Sequence, residues 1–548
     1  MFPNIFYLGE VSVDGADEEE FRYAPGVPSF STHVRLPLWA PDLDPTSPAS
    51  GCSPYPEDTP DLSEYIVLVR RGTCLFSQKA QNAAAFGAKY MAIYNTVPSV
   101  EIYNVDGVGI EGSLVVTSDV GEAWIALLAA GSGVVLDVTA FRDAETVFSQ
   151  VPNDVSPGAP SEFTSWGPTY RVDVKPQYGT PGGTILSTYP IALGKYAVIS
   201  GTSMATPLMA AIYALIHEVR GTLDPALLEK LFSSTADPQL FHDAFAFSDF
   251  LAPVPQQGAG LVRAYDAAYA TTIVEPASLS FNDTAHFVDA LNITIQNLGD
   301  EEITYDISHV PTVSMYTLEQ DSIYPMWFPN EIADTHASLA FSDDPVAVPA
   351  RGSLVVNVAA SPPAGLTASR LPVYSGYIAI NGSDGSSFSV PYQGIAGSLR
   401  EATVLGPQGA WISKSSDETT QSVPANMTFT LPPQGTTPTD SSYVVPRLTA
   451  SLALGSSILR ADVIPLRAGS SNSSTSHSIG QPKGMPLRYL ARYVPYYIDW
   501  YGELDDGSVV PTGSYKVAFR AMRIMGDADT KADWDVVETV PFHIAYDE

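Results

Sequence analysis

Gly201-Thr-Ser-Met-Ala-Thr-Pro207 joins a loop-rich stretch to an apolar one, and the rest of the chain is read from it. Upstream lies SEFTSWGPTYRVDVKPQYGTPGG (161–183), dense in Gly, Pro, Ser and Thr. Downstream, MATPLMAAIYALIHEVR (204–220) predicts a helix that is apolar nearly all round and therefore sits inside a larger domain. Gly201 is expected to let the backbone turn without a Cβ clash, which places Ser203 at the helix start. A helix start offers free N–H groups and the positive end of the macrodipole, both favourable to a developing oxyanion. Ala205 and Ala210 are small enough for close packing, and Pro207 falls early in the helix, where its missing N–H costs little. A serine so placed can act as an acyl-transfer nucleophile. Gly-Thr-Ser alone would more often be a turn with an ordinary N-cap, so the full heptad is what counts.

Working outward, residues 1–29 read as acidic and irregular, with DGADEEE at 14–20. Residues 30–145 read as a compact α/β layer. EYIVLVRR (64–71) is a buried-strand run, a helix follows near Ser77–Phe86 and stops at Gly87, and KYMAIYN (89–95) is the next strand. LVVT (114–117) leads to a helix with Asp119 and Glu122 at capping-box spacing, ended at Gly131 before VVLDVT. From 276 onward the helical period gives way to alternation, as in HFVDALNITIQ (286–296), SLVVNVAA (353–360), YSGYIAI (374–380) and SYKVAFRAMRI (514–524), the pattern of β-sandwiches. Segments 413–443 and 469–479 are Ser/Thr/Pro-rich and read as long loops.

At 548 residues the chain exceeds one core, and 45% hydrophobic with 16% charged residues suits a folded protein. The balance of 60 acidic to 27 basic residues, a formal charge of −33, argues against nucleic acid or an anionic membrane as partner. No run reaches the roughly 18 apolar residues of a spanning helix. Asn282, Asn292, Asn381, Asn426 and Asn472 stand in Asn-x-Ser/Thr acceptors, which suggests glycosylation and secretion, whereas MFPNIFYLGEVSVDG is a poor secretory signal. Cys52 and Cys74 could form one disulfide or remain two free thiols. No clustered His/Cys spacing marks a metal site, and the acidic run 14–20 does not place a Gly and a terminal Glu at the spacing of a calcium loop, so no cofactor is expected and calcium is left open.

GTSMATP resembles the serine signature of the subtilase family, the subtilisin-like serine proteases. SWGPT (165–169), KPQYGTPGG (175–183) and STYP (187–190) resemble the loops that line the substrate in that family, with Gln177 where many members have Asp. VLVRRGTCLFSQKAQNAAAFGAKYMAIYN (67–95) is similar to the protease-associated (PA) domain inserted in many subtilases. VEPASLSFND, NITIQNLGDEEITYDISH and SGYIAINGSDGSSFSVPYQGIAG (375–397) resemble the fibronectin type III-like domain of large secreted members. The order is most similar to fungal minor extracellular proteases. The resemblance implies an α/β plus β protein: a remnant of the catalytic domain at 1–29, a PA domain at 30–145, the C-terminal half of the catalytic domain at 146–275, a fibronectin type III-like sandwich at 276–398 and a second sandwich at 399–548. It also implies an extracellular, monomeric serine endopeptidase acting on protein or peptide, with Ser203 as nucleophile.

The same comparison shows what is missing. The family's Asp-Ser/Thr-Gly and His-Gly-Thr-His-Val segments and its oxyanion asparagine have no counterpart, and none of His33, His217, His242, His286, His309, His336, His477 and His543 is followed by Gly-Thr. Asp14 with His33 is a superficial pair, since Asp14 lies in an acidic loop and His33 opens a strand. His217 lies 14 residues beyond Ser203, about 21 Å along one helix. Asn95 and Asn104 read as turn residues. The expectation is an N-terminally truncated subtilase, with a rate loss on the order of 10⁶ from losing the base. Residues 146–275 should then expose a large apolar surface. The alternative is a non-catalytic extracellular binding protein built from PA and sandwich domains.

Overall fold

The computed structural model describes residues 2–97, 100, 102–105, 107–153, 155–191, 196–434, 443–466 and 477–547. The chain forms two compact units, Met1–Phe163 with Thr180–Leu215, and Thr164–Gly179 with Ile216–Glu548.

In the first unit, β1 (Phe2–Val13), β2 (Glu19–Pro25), β3 (Val34–Trp39), β4 (Ile66–Arg70), α1 (Phe76–Ala84), β5 (Tyr90–Tyr94), β6 (Gly112–Val116), α2 (Ser118–Ala129), β7 (Val134–Val138) and β8 (Thr146–Val151) build one sheet in the order β2-β6-β5-β4-β3-β7-β1-β8. The middle strands β3, β4, β5 and β6 run parallel, and a β1–β2 pairing closes the sheet on itself. Apolar runs in β4 are continuous because both faces are covered. Ile66 and Leu68 join the cluster that holds Trp124 of α2, and Val67 and Val69 join the cluster that holds Ala80 and Ala83 of α1.

Residues 1–29 are not irregular, contrary to the sequence expectation. The long strand β1 meets β2 at Tyr7–Val11, β7 at Glu10–Val13 and β8 at Phe2–Tyr7. The acidic run turns between strands, and Asp14 adopts φ +52 while its Oδ1 accepts the Gly133 N–H at 2.7 Å. The expected capping box also fails to form. Thr117 is the N-cap of α2 and makes no side-chain capping bond. Cys52 and Cys74 are disulfide-bonded, which decides between the two readings of that pair.

The second unit carries α4 (Pro225–Ser234), with Asp224 as N-cap accepting the Ala226 N–H at 3.1 Å and Pro225 at the first helical position, both preferred there. Two antiparallel-rich sandwiches follow. Strands Ala290–Asn297 and Ser353–Ser361 face Ile303–Pro311, Val373–Gly382 and Ser387–Ile395 over a core that includes Phe281, Ile293, Val356, Ile378 and Tyr392. Beyond them, Ala410–Lys414, Pro446–Ser451 and Pro495–Asp499 face a sheet containing Ser456–Leu466 and Gly513–Met522 around Trp500, Phe519 and Phe542. Met427–Leu431 is a strand inside the expected loop 413–443, and Asn472 lies outside the described residues. Among the described residues, no helix is long and apolar enough to cross a membrane.

Candidate active site

Ser203 is the second residue of α3 (Thr202–Arg220) and is exposed. A hairpin delivers the chain to it, with β9 (Ile185–Thr188) paired antiparallel to β10 (Tyr196–Ile199). The hairpin base is tied by the Thr184 N–H donating to Ser200 Oγ at 2.8 Å. Gly201 then donates its N–H to the Gly182 carbonyl at 2.8 Å, the Met204 N–H donates to the Gly201 carbonyl at 3.0 Å, and Thr180 Oγ1 donates to the Ala205 carbonyl at 2.9 Å.

The glycine that this turn requires is Gly182, not Gly201. A Cβ on Gly182 would stand 2.8 Å from the Gly201 oxygen and 3.0 Å from the Ala205 Cβ, whereas one on Gly201 would meet nothing closer than Met204 Sδ at 3.5 Å. The φ of Gly201 also lies outside the left-handed region. The signal in the sequence was the Gly-Gly pair of TPGG at 180–183.

Among the described residues, Ser203 Oγ makes no hydrogen bond, and the backbone N–H groups of Thr202 and Ser203 find no acceptor. Pro207 has no N–H for the Ser203 carbonyl four residues back, which leaves that oxygen without its usual helical donor. The helix is less buried than its composition predicts. Ile212 and Ile216 are buried, but Leu208, Leu215 and Val219 are 41%, 62% and 45% exposed. The expected exposure of apolar surface holds for this helix, and burial on all sides does not.

Five of the eight histidines are engaged elsewhere. His33 Nε2 is 3.2 Å from Asp137, His286 Nδ1 is 2.7 Å from the buried Asp283 and His309 Nε2 is 2.6 Å from the Tyr392 hydroxyl. His242 Nδ1 accepts from the Ala244 N–H, and His543 Nδ1 lies 3.2 Å from Ser514 Oγ. His217 is on α3 itself, 14 residues beyond Ser203. Asn95 is buried, its Oδ1 accepting from Arg71 and from the Thr96 N–H, so it has a structural role.

The second unit holds the other loops singled out in the sequence. Gly167 donates to the Pro255 carbonyl at 2.8 Å, and a Cβ there would lie 1.9 Å from the Lys175 oxygen. The Gln177 carbonyl accepts from Ala259, and Gly179 donates to Gly260, both at 2.8 Å. Gln177 therefore sits in a loop clamped through its backbone.

Glu10, Glu18 and Asp137 bring carboxylate oxygens within 4.8 Å of one another. Arg35 bonds Glu18 and Asp137 and holds the Glu18 carboxyl below its usual range, while Glu18 pushes Glu10 upward. Arg35 thus offsets part of the charge of three clustered carboxylates.

Residues 92–264 match the Subtilase family, 34–125 the PA domain and 279–393 an Fn3-like domain. The PIII-type proteinase of Lactococcus lactis subsp. cremoris is 26% identical over 63% of this chain and 18% of its own length. The C5a peptidase of Streptococcus pyogenes serotype M6 is 31% identical over 45% of this chain and 20% of its own length. The chain thus matches no more than about a fifth of these relatives. Among solved structures, the aminopeptidase from Aneurinibacillus sp. strain AM-1 is 24% identical, covering 27% of this chain and 34% of that one; at a TM-score of 0.18 it carries no argument. Over these stretches the chain is similar to the Subtilase family, to the PA domain and to an Fn3-like domain, and the relatives it matches are proteinases.

Proposed function

We propose that Ser203 is the nucleophile of a serine-type endopeptidase acting on protein or peptide through an acyl-enzyme. The observation that carries the reading is an exposed hydroxyl in the first turn of α3 beside the unpartnered N–H groups of Thr202 and Ser203. Attack of Oγ on a scissile carbonyl places negative charge on its oxygen, and those N–H groups with the positive helix end offer it stabilisation. The hydroxyl proton must pass to a base, and among the described residues no histidine is bonded to Oγ. The 548 residues alone are therefore proposed to be inactive, and turnover requires a base and orienting acid supplied by further polypeptide. The sequons and the disulfide support an extracellular, glycosylated protein.

A fluorophosphonate probe tests this reading. The 548-residue chain should label no faster than Ser203→Ala, and the same chain fused behind a subtilase segment bearing the Asp and His motifs should label at Ser203. Labelling of the unfused chain would overturn the inactivity. Failure of a folded fusion to label would favour the second reading, a binding protein, for which the baseless Ser203 is the supporting observation.

A further inference from the structure

The outer face of the last sandwich holds a concentration of positive charge in a chain whose net charge is −33. Strands Ser456–Leu466, Gly513–Met522 and Trp534–Glu538 lie side by side, with Arg460 directly opposite Arg520 and Trp534 directly opposite Met522. Leu459, Ala461, Val517, Phe519 and Val537 point into the core, so alternation turns Arg460, Asp462, Arg520, Trp534 and Val536 outward. Like charges directly opposite on a sheet face are destabilising unless a counter-charge is present. Asp462 is the carboxylate between them, 8% exposed, accepting from Arg520 Nε at 2.7 Å and lying 3.7 Å from Arg460 Nη2. One carboxylate thus serves two guanidiniums.

These side chains, with Asp529 and Lys531, line an open cleft of about 160 Å³. Lys531 makes no ion pair among the described residues, whereas Lys516 on the same sheet face is paired with Glu538 at 2.7 Å. Trp534 is anchored by its Nε1–H donating to the Ala528 carbonyl at 3.0 Å, which fixes the indole as one wall. The cleft holds three cations against the two carboxylates of Asp462 and Asp529. Within it, Arg460, Arg520 and Lys531 retain N–H donors suited to a bound carboxylate, and the indole offers an apolar surface beside them.

We propose that this cleft binds a saccharide bearing a carboxylate, a uronic acid unit. The excess positive charge selects an anion. The fixed indole beside the guanidiniums selects an anion with a contiguous C–H face, which a pyranose ring supplies and a phosphate lacks. The site is independent of Ser203 and of the proteolytic reading.

Saturation-transfer NMR and calorimetry on the full chain test the proposal, with trigalacturonate as probe and maltotriose, inorganic phosphate and hexaglutamate as controls. Trigalacturonate should bind, weaken as salt rises toward 0.5 M, and lose roughly tenfold or more in affinity in Arg520→Gln. Lys531→Ala, which removes no hydrogen bond or ion pair among the described residues, should weaken it several-fold, with an unchanged melting temperature showing that the fold is intact. Absence of trigalacturonate binding, equal binding of maltotriose, binding of hexaglutamate or phosphate as tight as that of trigalacturonate, or unchanged affinity in Lys531→Ala would each overturn it.

Discussion

Gly201 donates its amide to the carbonyl of Gly182 across 2.8 Å, and that bond fixes where the chain turns into the Ser203 helix. The approach is close because Gly182 has no Cβ to separate the two backbones.

Gly182→Ala should therefore loosen this turn. An added methyl against backbone and against Ala205 costs about 1–3 kcal/mol when neighbours cannot move away. The amide of Gly201 should exchange with deuterium about tenfold faster or more, as read by hydrogen-exchange mass spectrometry. Gly201→Ala, with only ordinary contacts around the new methyl, should leave that exchange nearly unchanged.

Around the disulfide, α1 holds the 50–52 loop from beneath. Gln78 Nε2 donates to the Cys52 carbonyl at 2.8 Å, Asn82 Nδ2 to Gly51 at 2.9 Å, and Lys79 Nζ to Ser50. Cys52 and Cys74 are 22 residues apart, so loop-closure entropy gives the bond about 3 kcal/mol. Reduction should lower the melting temperature of this domain by several degrees in calorimetry.

Burial, aided by Arg70, pushes the fully buried Lys79 ammonium down to about 8 from 10.5. Between those values the unfolded chain keeps a proton that the folded chain has released, so stability rises with pH across the window. Lys79→Met should flatten the melting temperature against pH from about 8 to 10.5 relative to the parent. An unchanged slope would assign that limb to other groups.

His309 gives a dependence of the same sign on the acid side. Burial first, then the neighbouring His336, pushes it down to about 4 from 6.5. The unfolded chain takes up the proton first as pH falls through this window, so stability is lost from 6.5 toward 4. His309→Gln, which can still meet the Tyr392 hydroxyl, should reduce the acid loss measured by urea unfolding at pH 7 and pH 4.5.

Arg400 grips Asp533 with Nε at 2.8 Å and Nη2 at 2.6 Å; the carboxylate side chain is 5% exposed. Arg400→Met would leave that carboxylate with the backbone N–H of Asp527 as the donor still bonded to it. The expected result is a lower urea midpoint, because the carboxylate loses two charge-assisted hydrogen bonds.

Local chemistry was readable without coordinates. The strand at Ile66–Arg70, the helix at Phe76–Ala84 and the helix that carries Ser203 follow from apolar period and from Gly at their ends. The serine heptad and its family resemblance were likewise visible, because those residues are contiguous. Long-range pairing was not. Nothing within residues 1–29 announces that β1 will meet three strands, one of them more than 130 residues away, since each partner is chosen by a distant edge. The crowding at Gly182, the satisfaction of Asp137 by Arg35 and the facing of Arg460 with Arg520 have the same origin. Sequence determines which groups a segment carries and how its backbone prefers to turn; only the tertiary fold decides which of them meet, because contact energy depends on spatial separation rather than on separation along the chain.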